Sequence, residues 1–202
     1  MRWLILLAVT LPPIVLAAIG VTHPVRLTPE SAGWWTTMHI ILVPIFPLLG
    51  VAQWLLVRGR HDPLSWGVRI AAFGYLTFYG VLDALAGIGT GTLTGHGLDP
   101  GAGGHTGGRD PAIGWIFDVG NEVGTWGAWA FLAGSVLLAI GYWRRHGRRA
   151  LPGGVLLVVA SYSFVGAHIY WPVGVLSMLA IGAGFALLTV AGWQPAAEAG
   201  ND

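Results

Sequence analysis

Residues 34–57 read WWTTMHIILVPIFPLLGVAQWLLV. The stretch runs for 24 residues without an Asp, Glu, Lys or Arg. An apolar helix needs about 20 residues to cross the hydrocarbon core of a bilayer. The stretch is therefore read as a membrane span. One ionisable group, His39, lies roughly 7–8 Å in from its first residue at 1.5 Å per residue. Pro44 and Pro47 each remove a backbone donor and interrupt the helical ladder below it.

The rest of the chain repeats the pattern. Apolar runs at about Trp3–Gly20, Trp66–Ala86, Ile113–Tyr142, Leu151–His168 and Pro172–Trp193 bring the expected number of spans to six. Composition agrees: 54% of the residues are hydrophobic, 9% are charged, and mean hydropathy is +0.68. Soluble domains carry about 25% charged residues. The expectation is an all-α, polytopic membrane bundle forming one domain over residues 1–193. With a net charge of +1 the chain lacks the basic stripe of a nucleic-acid binder. It has no Cys, which excludes disulfides, thiolate metal sites and thiol nucleophiles. It also has no Lys, which excludes a Schiff-base lysine.

The arginines set the expected orientation. Arg2, Arg58, Arg60, Arg144, Arg145, Arg148 and Arg149 fall on one side of the six runs, and Arg26 and Arg109 on the other. The positive-inside rule then places both termini in the cytoplasm of a bacterial-type inner membrane. Arg2 followed by an apolar run and Ala18-Ile19-Gly20 also resembles a signal peptide; a retained helix, kinked at Pro12-Pro13, is the reading adopted. Residues 87–112, rich in glycine, are expected to form an external loop, and residues 194–202 a cytoplasmic tail.

Ionisable residues in or beside the spans call for explanation, because charge in a bilayer is costly. They are His23, His39, Asp83, Asp118, Glu122 and His168, all expected near the outer end of the bundle. Asp118 and Glu122 are four apart and share a helix face. Gly120 and Gly124 allow a neighbouring helix to approach beside Glu122. Tyr75, Tyr79 and Asp83 also follow at steps of four, and Trp35 shares a face with His39.

Imidazole and carboxylate ligands without thiolate suit zinc, copper, iron or manganese. The expected ligands are His23, His39, Asp83, Glu122 and His168, with Asp118 as an outer partner or general base and Glu122 also a catalytic candidate. An open coordination position would support hydrolytic or redox chemistry on a small-molecule or lipid substrate. Two alternatives stand beside this. A proton-coupled transporter or channel would use the same carboxylates and histidines as a relay. A haem protein would use His39 and His168 as axial ligands.

Overall fold

The computed structural model describes residues 2–99 and 110–193. Helix α1 spans Arg2–Val21, α2 Ala32–Ile45, α3 Pro47–Leu56 and α4 Pro63–Leu82. A π-helical stretch, Asp83–Gly89, joins α4 to a short α5 at Thr90–Gly95. Helix α6 covers Pro111–His146; a 3₁₀ turn at Gly147–Ala150 leads to α7, Leu151–Ala167, and α8 spans Val173–Ala191. No strand occurs among the described residues. Five helical runs are long and apolar enough to cross a membrane. One of these, Pro111–Ala167, contains both α6 and α7. Gly147 at φ +57° lies at the reversal between them.

Local chemistry explains the breaks. Pro47 cannot donate to the helix of α2, so α2 ends at Ile45 and α3 begins at Pro47. The Tyr75 hydroxyl donates to the Phe46 carbonyl at that break (3.1 Å). Asp62 caps α4, accepting from the Ser65 N–H at 3.1 Å and the Ser65 hydroxyl at 2.9 Å. Those bonds, with the Arg145 guanidinium nearby, hold the Asp62 carboxyl down at about 2. Helix α1 runs on through Pro12 and Pro13, both buried.

Small residues set the helix crossings. A Cβ on Gly120, Gly124 or Gly127 of α6 would press on Ala86, Leu82 and Tyr79 in turn. Gly153 and Gly184 do the same where α7 crosses α8. This is how helices pack without a hydrophobic drive between them. Phe131 of α6, Phe164 of α7 and Phe185 of α8 fill the centre with Tyr75 and Phe46. Gln53 donates to the Phe131 carbonyl (3.0 Å) and the Ser135 hydroxyl (3.1 Å), and Ser161 donates to Ser135 (2.9 Å). These bonds tie α3, α6 and α7 together.

The arginine-bearing turns meet at one end of the bundle. Arg145 bridges to Asp62 at 2.7 Å, and Arg60 lies over the Tyr142 ring at 4.6 Å.

One expectation changes here. The helical path of α4 continues through the segment expected to be loop as far as Gly95. Two of its glycines, Gly87 and Gly91, are contact positions. A Cβ on Gly87 would overlap the His39 ring, and one on Gly91 would overlap Thr36 and crowd Trp35. Helix α6 likewise begins at Pro111, inside that segment. Residues 100–109 of the expected loop and the expected tail at 194–202 lie outside the described residues.

Candidate metal centre

Three segments deliver a histidine each to the end of the bundle opposite the arginines. His39 stands on α2, one turn beyond Trp35. His23 follows α1, brought in because Gly20 lets the end of α1 touch Ile169 and Val175. His168 closes α7 with φ +46°, the only non-glycine residue with positive φ among those described. Such a conformation costs of order 1–3 kcal/mol and persists where the surroundings enforce it, often at functional sites.

One ligand atom from each of the three rings lies within 4.8 Å of the others, so the cluster can hold a metal ion. The His23 ring stands nearly perpendicular to both partners, at 86° to His39 and 88° to His168. Each Nδ1 is already engaged: His39 with the Trp35 carbonyl at 2.7 Å, His23 with the Pro24 carbonyl at 2.8 Å, and His168 with the Tyr79 hydroxyl at 2.6 Å. A carbonyl only accepts, so His39 and His23 carry their proton on Nδ1. In a neutral ring that leaves a lone pair on Nε2. The Tyr79 oxygen can accept from His168 in the same way. Nε2 of His23 and of His168 is buried without a hydrogen-bond partner. Metal-ligating histidines characteristically donate their second nitrogen to a carbonyl or similar acceptor, which fixes tautomer and ring orientation. Burial also pushes the His23 imidazole down to about 4. It is therefore neutral at pH 7, the form that binds metal.

Asp83 is fully buried, and neither carboxylate oxygen has a partner. It opens the π-helical stretch. Tyr79, four residues before it, bonds His168; Gly87, four residues after it, packs on His39. Asp83 thus lies between the two contacts, although it is not one of the three converging ligands. π-Helical turns often mark functional sites.

Glu122 and Asp118 are not brought to the histidines. Both are exposed on α6, on the side that also exposes Trp115, Trp126 and Trp129. The physical reason is helix phase. Gly120 and Gly124 face the bundle, and each is two residues, about 200°, away from Glu122. At 36 residues α6 is also about 54 Å long, more than the roughly 40–45 Å of a whole bilayer. Counted back from Trp143, about 20 residues, the length of a membrane span, reach Gly124, and Glu122 and Asp118 lie beyond that length.

Sequence reasoning passed over two contributors. Tyr170 packs edge-on against His23, with ring centroids 4.4 Å apart; no spacing pointed to it. Gly87 could have been found from its helical spacing to Asp83. A cavity of about 280 Å³ adjoins the cluster, and His168 and Tyr79 form part of its wall with Asn121, Thr125 and Val165. Comparison with protein-family models, with curated proteins and with solved structures gives no match.

The Tyr79→Phe variant isolates the hydroxyl contact. Zinc affinity is expected to fall about 10–100-fold, as when an outer partner of a ligating histidine is lost. Helical content should stay the same. Calorimetric titration with zinc checks this, and unchanged affinity would show that Tyr79 does not orient His168.

Proposed function

We propose that this chain is an integral protein of the cytoplasmic membrane, crossing it six times with both termini inside, and that His23, His39 and His168 bind a divalent transition metal near the outer face. Zinc is the first choice. The reading is carried by one observation: three imidazoles converge while Nδ1 of His23 and of His39 is held by a carbonyl and Nδ1 of His168 by the Tyr79 hydroxyl. Zinc held by these three histidines would supply a bound water with its pKa lowered to about 7. That is hydrolytic chemistry. In it Asp83 is the candidate proton acceptor, Tyr79 and the Trp35 and Pro24 carbonyls orient the ligands, and the cavity beside His168 admits the substrate.

Two features favour this over the alternatives. The buried polar groups in the middle of the bundle, Gln53, Ser135 and Ser161, do not titrate near neutrality, so a relay from the histidines would have no titrating group to step onto there. The His23 ring stands against both His39 and His168, on the flank where a haem between those two would lie.

The test is elemental analysis and an absorption spectrum of the purified protein, followed by melting with added metal. About one zinc per chain is expected. Zinc at 100 times its Kd should stabilise the fold by about 2.7 kcal/mol. A Soret band, or identical melting with zinc, copper, iron and manganese, would overturn the reading. Orientation has its own test, helped by the absence of native cysteine. A cysteine at His96 should react with an impermeant reagent from outside intact cells, and one at Arg148 should not. The reverse pattern would put the histidines on the cytoplasmic side.

A further inference from the structure

At the opposite end of the molecule a second cavity, of about 210 Å³, is lined by Arg2, Arg58 and Arg60. They come from the start of α1 and from the turn between α3 and α4. No Asp or Glu is among its lining residues in the described part of the chain. The salt bridge found among the described residues uses Arg145 and Asp62, leaving these three guanidinium groups without a carboxylate. Arg60 lies over the Tyr142 ring, whose hydroxyl donates to the Leu56 carbonyl at 3.1 Å. Two features thus hold Arg60 and Tyr142 in place. Apart from Thr189, whose hydroxyl donates to the Phe185 carbonyl at 2.7 Å, the rest of the wall is apolar or aromatic, with Ile5, Leu55 and Trp193. Trp193 is itself braced edge-on by Trp3, ring centroids 4.9 Å apart.

Three like charges around one cavity repel one another unless an anion sits among them. Guanidinium groups match phosphate oxygens in charge and fork geometry. Tryptophan at the rim is typical of the headgroup layer. Basic pockets between membrane helices take lipid phosphates. We propose that this cavity binds the phosphate of an anionic phospholipid in the leaflet at the arginine-rich end, with Ile5 and Leu55 against the glycerol and first methylenes. A free phosphate ion would satisfy the arginines and leave the apolar wall unused. The proposal is independent of the metal centre.

The probes are phosphatidylglycerol, phosphatidylcholine and inorganic phosphate, each added to the full chain in detergent and followed by native mass spectrometry and melting. One phosphatidylglycerol per chain should survive conditions that remove phosphatidylcholine, and millimolar inorganic phosphate should not displace it. The variant Arg58→Gln/Arg60→Gln should lose this retention by about tenfold or more, since each arginine near an anionic surface is worth about fivefold. Arg2→Gln, which leaves the Arg60–Tyr142 contact intact, should lose about fivefold and guards against a folding defect. The control Arg144→Gln/Arg148→Gln removes the same charge from the same end outside the cavity. It should retain the lipid. Equal loss in the control, equal retention of phosphatidylcholine, or displacement by inorganic phosphate would each overturn the proposal.

Discussion

Zinc binding is expected to collapse in His39→Ala and in His168→Ala. Each variant deletes one of three imidazoles whose ligand atoms share a single 4.8 Å neighbourhood. The loss should exceed 100-fold, above the roughly 10–100-fold that an outer partner costs. Added zinc should then raise the melting temperature of the wild type and leave both variants unmoved, because only a folded-state ligand stabilises. Glu122→Gln supplies the contrast. Its carboxylate is exposed on α6, so zinc affinity and melting should match the wild type. Loss of zinc in Glu122→Gln with retention in His39→Ala would place the metal on the outer face of α6 and remove the histidine centre.

A substitution outside the ligand set should be as damaging. Gly87→Ala adds one methyl group where the His39 ring already lies. Its nearest neighbours are the ring's own Cδ2 and Cγ and the His39 Cβ, so either the ring or the helix must move. Overpacking of this kind costs about 1–3 kcal/mol. Displacing the ring also breaks its 2.7 Å bond to the Trp35 carbonyl and its aim at the other two histidines. Both melting temperature and zinc affinity should fall. Gly80→Ala, seven residues earlier on the same helical path, meets nothing within 4 Å. It should be neutral or gain up to about 1 kcal/mol from helix propensity. Equal behaviour of the two variants, measured by melting and zinc titration, would show that Gly87 does not position His39.

The helices were legible because their signal is coarse: long runs without charge, closed by arginines or proline. Depth along each run was legible too, which is why His23, His39 and His168 were expected at one level and are found together. Rotation about the helix axis was not. The four-residue spacing of Asp118 and Glu122 shows that they share a face but cannot say which face. The neighbouring Gly120 and Gly124 carried that information, since small residues mark the inward side. Composition misled at Gly87 and Gly91. Glycine there reads as looseness, whereas in the fold it gives Trp35, Thr36 and His39 room to touch a helix backbone. Contacts of that kind join residues about 50 apart, as the Trp35 indole does in donating to the Ala86 carbonyl at 3.3 Å. Local pattern contains nothing about them.

The π-helical stretch has a consequence for how the chain tolerates change in length. Below it, α4 is locked to α6 through Tyr79 and Leu82 against Gly127 and Gly124; within it Gly87, and above it Gly91, are locked to α2. A π turn takes up about one residue more than an α turn. Removing a single residue between Asp83 and Gly89 would tighten the π turn into an α turn and leave the segments on either side in register, so both keep their partners. The same deletion inside α4 would swing everything beyond it by about 100°. The stretch is the slack in this rod, the one place where a change of one residue in length is absorbed locally.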